Sequence, residues 1–369
     1  MRFNKIDNIS SLNIIRAITA LIVVIYHAKF ILWCGGNAYL EQIGFQNWID
    51  YPLFAFDMLS SNGEPIVICF FILSGFVITH SFRKSSYSSI QFYIIRIVRI
   101  YIPFLNSIIL AVIILFFTHY INPEIFEGQI REYNDRLVTA WNELHFFSLI
   151  KSLILIKEKE YIGLNFVYWS LVHEIIFYLV YPIYNMIKLR GRIALFIGLI
   201  LIFIITKNHL IYNQLYFLIG IFIYDYLSIK NTSLPIFKSK KINLLVISFF
   251  YILMTVAFIK GWKITADFFS AIMSLVAFAF DFVLTFISKP NNLIIKLSEY
   301  SYTLYLNHLP VLLLTYALIS TFVNQAIFYE RYYYYIGVLI AVIVCKYLFY
   351  AEHFSLYLIK KLKLKFSKN

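Results

Sequence analysis

An arginine and a histidine share one face of the first long apolar segment, which runs from Leu12 to Trp33. The step of eleven residues from Arg16 to His27, at about 100° per residue, brings the two side chains to within roughly 20° of each other and about 16 Å apart along the axis. A segment of this length crosses a bilayer, where an arginine costs roughly 2.5 to 3.5 kcal/mol on insertion scales. Both residues are therefore functional candidates. The alternative is that Arg16 snorkels to the headgroups while His27 caps the other end near the interface.

A pair of arginines follows the second apolar segment, in SFRKSSYSSIQFYIIRIVRIYIPF. Arg96 and Arg99 are three residues apart, which places both guanidinium groups on one helical face at the predicted cytoplasmic boundary. Two such forks could together bind a phosphate or pyrophosphate. The alternative is a basic anchor against anionic lipid.

Ionisable and polar side chains recur in two further apolar segments. FVYWSLVHEIIFYLVYP places Glu174 inside a span, where it needs a positive or hydrogen-bonding partner such as His27 or Arg16. A structural ion pair is the alternative. In LSEYSYTLYLNHLPVL, Ser301, Tyr305 and His308 form a polar stripe, and a core histidine bonded to a carbonyl remains the other interpretation.

Composition places the whole chain in the membrane class. Of 369 residues, 61% are hydrophobic and 14% charged, and the mean hydropathy is +0.76, which excludes an ordinary soluble domain. The net charge of +13 follows from Lys and Arg in the predicted inner loops, so a nucleic-acid partner is not needed to explain it. The three cysteines are scattered, which predicts neither a disulfide framework nor a metal site, and no cleaved signal peptide is evident.

Hydropathy predicts one all-α polytopic membrane domain that occupies residues 1–369, with both termini in the cytoplasm. The bundle is expected over 12–354 and a basic cytoplasmic tail over 355–369, with no fused soluble domain. A short apolar stretch from Leu144 to Ile156 in a long outer loop suits an interfacial or re-entrant helix. The ten predicted spans are 12–33, 65–82, 100–119, 166–187, 193–206, 210–228, 242–259, 264–287, 300–323 and 332–354.

Taken together, these motifs resemble the acyltransferase family 3 of integral membrane O-acyltransferases. The resemblance rests on RAITALIVVIYH, FFILSGFVI, RIVRIYIP, WSLVHE with the following tyrosine and proline, and SYTLYLNHLP, in this order along the chain. It implies transfer of an acyl group, commonly acetyl from cytoplasmic acetyl-CoA, to a sugar hydroxyl of an envelope glycan. Two departures concern local geometry. There is an extra Ile102 before Pro103, and Phe354 stands two residues after Glu352, where members of the family often have a proline.

The family's functional residues of the first helix correspond to Arg16 and His27, and its cytoplasmic arginine pair to Arg96 and Arg99. Acyl transfer to an alcohol needs a base, a positive group for the oxyanion and a site for the donor phosphates. We expect His27 to be the base, Glu174 to orient it, and Arg16 to stabilise the oxyanion or hold the pantetheine arm; direct transfer and an acyl-histidine relay stay open. The residues expected to contact the acceptor are Asn165, Trp169, Ser170, Ser301, Tyr302, Tyr305 and His308.

The predicted partners are acyl-CoA, a glycan or lipid-linked saccharide acceptor and membrane lipid, in the inner (plasma) membrane. No metal and no nucleic acid is expected, and the question of a homo-oligomer stays open. The main alternative is a proton-coupled secondary transporter or flippase, which also needs intramembrane Arg, Glu and His, but no internal repeat supports it. A membrane scaffold would leave Arg16 and Glu174 unexplained.

Overall fold

The chain is built of helices throughout the part that the structure describes. The computed structural model describes residues 9–85, 87–128, 130–230, 240–279 and 292–366, and these ranges contain no strand. A backbone that crosses lipid must satisfy its own N–H and C=O groups, and an α-helix does so within one segment. The helices are α1 (Ile9–Leu32), α2 (Gly36–Gln42), α3 (Asp50–Leu59), α4 (Gly63–Lys84), α5 (Ser89–Ile121), α6 (Glu132–Asn142), α7 (Phe146–Leu153), α8 (Tyr168–Met186), α9 (Leu189–Thr206), α10 (His209–Lys230), α11 (Lys240–Ile259), α12 (Lys263–Ala279), α13 (Asn292–Glu299), α14 (Ser301–Val323), α15 (Tyr332–Tyr347) and α16 (Tyr350–Phe366).

Eight helical segments of the described chain are long and apolar enough to cross a membrane: α1, α4, α5, α9, α10, α11, α14 and the run from α15 to α16. This confirms the predicted all-α, polytopic membrane fold. The predicted spans 166–187 and 264–287 fall on α8 and α12, which are not among the eight, and residues 280–287 lie outside the described ranges. The total of ten crossings and the cytoplasmic termini therefore stay predictions.

Two boundaries differ from the sequence expectation. α5 begins at Ser89 and has 33 residues. Arg96 and Arg99 therefore lie well inside this helix, whereas the predicted span 100–119 begins after them. The basic tail is helical as far as Phe366. In both places the helix continues past the apolar stretch, because hydropathy marks only the apolar part of a helix, and Arg and Lys are good helix formers that do not end it.

The chain packs as two compact units, and α1, α5 and α8 each contribute to both. The first comprises Met1–Thr19, Glu64–Arg96 and Val172–Glu299, and the second Ala20–Gly63, Ile97–Leu171 and Tyr300–Asn369.

Glycines allow two helices of the first unit to approach closely. A Cβ atom added to Gly75 of α4 would lie 2.1 Å from the carbonyl oxygen of Phe217, and one added to Gly220 of α10 would lie 2.1 Å from that of Ile72. Neither position has room for a side chain. Small residues at such crossings are the usual means by which membrane helices pack.

In the second unit, the C-terminal end of α1 packs against the segments around α14 and α15. A Cβ atom on Gly337 would lie 2.2 Å from Leu32 Cδ1, and Trp33 Nε1 donates to the carbonyl of Tyr329 at 2.9 Å. These contacts fix the end of α1 that carries His27.

The short apolar stretch predicted as an interfacial or re-entrant helix forms α7. Phe146 and Phe147 are exposed, while Ser148 and Ser152 are buried. A helix that turns apolar side chains outward and small polar ones inward suits a position at the membrane interface, as its length and composition predict.

Candidate active site

The two histidines of the sequence motifs lie side by side in the second unit. His27 Nδ1 is 2.8 Å from His308 Nε2, and the stacked rings have centroids 5.1 Å apart. Phe166 stands edge-on to the His27 ring at 5.0 Å between centroids. Both imidazoles are buried, so packing holds His27 between a second imidazole and a phenyl ring.

Hydrogen-bond partners determine which nitrogen of each imidazole carries the proton. His308 Nδ1 lies 2.9 Å from the carbonyl oxygen of Leu304. A carbonyl only accepts, so His308 Nδ1 carries the hydrogen, and in the neutral ring its Nε2 is then an acceptor. His27 Nδ1 must therefore donate to it. His27 Nε2 keeps its lone pair, and no residue within the described ranges donates to that atom.

A proline positions the helix that carries His308. Pro310 lies inside α14 and has no N–H, so the carbonyl of Leu306, four residues earlier, lacks its helical donor. Ser107 Oγ and Asn165 Nδ2 donate to this carbonyl at 2.9 and 2.8 Å. Two buried side chains thus hold the interrupted turn of α14 beside His308.

Ser170 and Tyr305 form a second buried contact near the histidines. Their hydroxyl oxygens are 2.6 Å apart, and the Tyr305 ring centroid lies 6.3 Å from that of His308. Like Asn165, both residues are buried. Their predicted contact with an acceptor stays a prediction, as does that of the half-buried Trp169.

Arg99 is bound to a buried glutamate in the second unit. Its Nη2 donates to Glu352 Oε1 at 2.8 Å, and its guanidinium lies 5.3 Å from the centroid of the Tyr302 ring. The other carboxylate oxygen of Glu352 accepts from the N–H and Oγ1 of Thr303, at 2.9 and 2.7 Å. Glu352 therefore joins Arg99 to the first turn of α14, where Ser301 is also buried.

Arg96 has different neighbours, all in the first unit. Its guanidinium lies between the rings of Phe92 and Tyr178, 5.3 and 5.4 Å from their centroids. The Tyr178 hydroxyl donates to Glu174 Oε1, and Ser74 Oγ donates to the same oxygen at 3.3 Å. No carboxylate of the described chain forms an ion pair with Arg96, whose buried Nε has no hydrogen-bond partner there.

Arg16 and Glu174, the other two residues expected to act with His27, belong to the first unit. Arg16 is half-buried in α1, and Glu174 has the Tyr178 and Ser74 contacts given above. Their cooperation with His27 stays a prediction.

A cavity of about 300 Å³ opens at the C-terminal end of α1 in the second unit. Tyr26, whose ring centroid is 5.1 Å from that of His27, forms part of its wall. Across the described ranges, no group of three or more His, Cys, Asp or Glu side chains is arranged to hold a metal. The cavity is lined by Tyr26, Lys29, Phe30, Trp33, Cys34, Gly35, Gly36, Met58, Ser61, Arg131, Glu132 and Tyr133.

Sequence reasoning missed Glu352 and the part that His308 plays toward His27. Glu174 and Tyr178 are four residues apart on one helix, so helical spacing alone predicts their contact. Arg99 and Glu352 are separated by 253 positions, and no local pattern connects them.

Comparison with known proteins gives one finding. The family model Acyl_transf_3, described as an acyltransferase domain, matches residues 9–351. No curated protein and no solved structure matches the chain.

Proposed function

Since this chain belongs to the acyltransferase family of that model, we propose that it is an O-acyltransferase of the inner membrane. In the proposed reaction it moves an acetyl group from cytoplasmic acetyl-CoA to a sugar hydroxyl of a cell-surface polysaccharide or lipid-linked glycan. The observation that carries the proposal is the hydrogen-bond chain from the Leu304 carbonyl through His308 to His27, which ends at a basic nitrogen.

His27 Nε2 suits the role of general base. It would take the proton of the acceptor hydroxyl while that oxygen attacks the thioester carbonyl, and the thiol of CoA would leave with a proton returned by the same imidazole. As His27 becomes positively charged, its Nδ1–H bond to His308 Nε2 strengthens, because charge-assisted hydrogen bonds are the stronger ones. His308 thus performs the orienting role that was expected of Glu174.

The arginine pair of α5 suits the donor phosphates. Arg96 fits an anionic ligand because its charge is not neutralised by a carboxylate of the described chain and its buried Nε lacks an acceptor. Arg99 forms an ion pair with Glu352, which offsets its charge, so we propose that Arg96 contributes more to donor binding. In this assignment Glu174 supports the ring of Tyr178 on which Arg96 lies.

Arg16 would contact the arm that joins those phosphates to the thioester. Arg16 and His27 lie on one helix, α1, and the eleven-residue step sets them about 16 Å apart along it. That separation is too long for both side chains to meet one reacting carbonyl, and it favours the pantetheine arm over the oxyanion as the partner of Arg16.

The cavity at the C-terminal end of α1 suits the acceptor. Its wall includes Tyr26, Phe30, Trp33 and Tyr133, and its volume lies at the lower end of the range for small-molecule pockets. Flat aromatic rings pack against the apolar faces of sugars, and Tyr26 borders both the cavity and His27.

Substitution of the base tests the function. We expect His27→Ala to lower acetyl transfer from acetyl-CoA by about 10²- to 10⁴-fold, and His27→Gln to be nearly as inactive, since an amide cannot accept a proton at neutral pH. The assay uses the purified protein in liposomes with a glycan acceptor and detects the product by mass spectrometry. His353→Ala, which removes an exposed histidine from α16, is the matched control. A correctly inserted His27→Ala protein with near wild-type rate would contradict the proposal.

A further inference from the structure

Two arginines and one aspartate join the ends of four helices in the first unit. Arg83 at the end of α4 donates through Nη1 to Asp225 Oδ1 of α10 and through Nε to Asn185 Oδ1 of α8 at 2.9 Å. Arg192 in the first turn of α9 donates through Nη1 to Asp225 Oδ2 at 2.5 Å. Both carboxylate oxygens are thus occupied, and the cluster keeps a net positive charge.

Each guanidinium retains a donor nitrogen outside this network. Arg192 Nε donates to the Ile187 carbonyl at 2.7 Å, and the Arg83 guanidinium lies 5.5 Å from the centroid of the Tyr224 ring. Nη2 of Arg83 and Nη2 of Arg192 have no hydrogen-bond partner among the described residues. The side chain of Arg83 is 26% exposed and that of Arg192 is 9% exposed, so a ligand would reach the cluster from the side of Arg83. One carboxylate holds both guanidinium groups in place, and each group keeps a spare donor. Guanidinium donors of this kind bind phosphate oxygens.

The cluster lies at the same end of the first unit as Arg96. α4 ends at Lys84 and α5 begins at Ser89, so Arg83 and Arg96 flank one short connection. Between them, the rings of Phe82 and Phe92 are in contact with centroids 5.2 Å apart, and Arg96 lies against Phe92. If Arg96 binds one phosphate of a ligand, a second phosphate of the same ligand would lie near Arg83 and Arg192.

We propose that Arg83 and Arg192, held in place by Asp225, bind a phosphate monoester, and that this group is the ribose 3′-phosphate of the acyl-CoA donor. The assignment of the donor phosphate rests on the proposed function. An anionic lipid headgroup presents the same chemistry, and the experiment separates the two sources. The cluster would make the enzyme selective for CoA over carriers that lack this phosphate.

The test compares acetyl-CoA with acetyl-3′-dephospho-CoA in nanodiscs of neutral lipid. With the wild-type protein we expect KM for the dephospho donor to be about tenfold higher or more, since charge-assisted bonds to phosphate are lost. Arg83→Gln and Arg192→Gln should raise KM for acetyl-CoA by a similar factor and leave KM for the dephospho donor unchanged. Arg83→Lys, which keeps the charge and is the milder change for folding, should have an intermediate effect. Arg190→Gln, an exposed neighbour on α9, is the matched control.

Several results would overturn the assignment. Equal KM values of the wild-type protein for both donors would exclude recognition of the 3′-phosphate, and equal effects of the arginine variants on both donors would give the cluster a structural role alone. An effect that appears only when anionic lipid is added would assign the cluster to a headgroup. Binding of adenosine 3′,5′-bisphosphate, measured as a thermal shift of the wild-type and variant proteins, tests the site without turnover. Binding without any acetyl transfer would refute the proposed function and keep the phosphate site.

Discussion

Two polar regions of the second unit, both attached to the C-terminal half of α1, use their hydrogen bonds in opposite ways. One contains His27. The other contains Lys29, which lies two residues further along α1 and therefore on nearly the opposite face of that helix. Both regions are buried, and each would be costly without satisfied polar groups.

The Lys29 region is a closed network around Asp57. Arg331 Nε donates to Asp57 Oδ2 at 2.6 Å, Tyr334 donates to Oδ1 at 2.5 Å, and Lys29 donates to the Asp57 backbone carbonyl at 2.5 Å. The Lys29 ammonium also donates to Ser60 and Ser61, so its three hydrogens have three acceptors.

A second aspartate extends the closed network. Asp50 Oδ1 lies 3.4 Å from Arg331 Nη1, and its Oδ2 accepts from the backbone N–H groups of Gln46 and Asn47. These two backbone hydrogen bonds, of which the one from Gln46 has the larger effect, lower the pKa of Asp50 below its ordinary value. Asp50 therefore stays ionised at neutral pH and keeps its contacts with the network. Acidification protonates Asp50, and only then is its contribution to stability lost.

The histidine region is instead an open chain. It begins at the Leu304 carbonyl, passes through His308, and ends at His27 Nε2. A network whose charged groups are paired with one another stabilises the fold, even though Arg331 Nη2 is buried without a hydrogen-bond partner among the described residues, whereas one that ends at a basic nitrogen can exchange a proton with a substrate. The comparison therefore predicts that damage at Asp57 or Arg331, which do not line the proposed acceptor cavity as Lys29 and Ser61 do, lowers stability, and that damage to the histidines lowers turnover.

The largest expected effect is the loss of stability in Asp57→Asn. Removal of the Asp57 charge leaves the buried Arg331 with only its longer ion pair to Asp50, at 3.4 Å, and breaking a buried pair costs about 3 to 5 kcal/mol. The measurement is the thermal midpoint of the detergent-purified protein, and kcat per folded molecule should stay near the wild-type value.

A double substitution sharpens this prediction. Asp57→Leu with Arg331→Met removes both charges, and it should be less destabilising than Asp57→Asn because Arg331 is not left buried without its closest carboxylate, while Asp50 keeps its two backbone hydrogen bonds. If Asp57→Asn instead lost activity while it kept its thermal midpoint, the network would belong to the catalytic machinery and the contrast with the histidines would fail.

A smaller effect is expected at the Leu306 carbonyl. Ser107→Ala or Asn165→Ala alone leaves one donor, and each should cost about 1 kcal/mol or less; the double variant leaves the buried carbonyl unsatisfied and should cost about 1 to 3 kcal/mol. Addition of Pro310→Ala restores the helical N–H and should recover part of that loss. If Pro310→Ala gave the double variant no recovery, the missing N–H of the proline would not be the reason for these contacts.

How far the sequence predicted these regions depends on the range of the contacts. The spans follow from local hydropathy, and the shared face of Arg96 and Arg99 follows from helical spacing. The contact between His27 and His308 joins residues 281 positions apart, and that between Arg331 and Asp57 joins residues 274 apart. Hydropathy and periodicity are local quantities, so they identified His27 and His308 as candidates but could not pair them.

The last prediction concerns His308, and it tests the open chain most directly. His308→Ala removes the acceptor of the His27 Nδ1 proton, so the ring loses the partner that keeps Nε2 basic and oriented. We expect kcat to fall about tenfold, the value of one hydrogen bond of about 1.4 kcal/mol, while KM for the donor stays unchanged. His308→Gln offers a carbonyl oxygen that can accept the same proton, and it should recover part of kcat. A structural role alone would lower the thermal midpoint and the amount of folded protein in both variants and leave kcat per folded molecule unchanged. That result would show that the His27 ring does not need its neighbour, and the division between a closed stabilising network and an open reactive one would no longer hold.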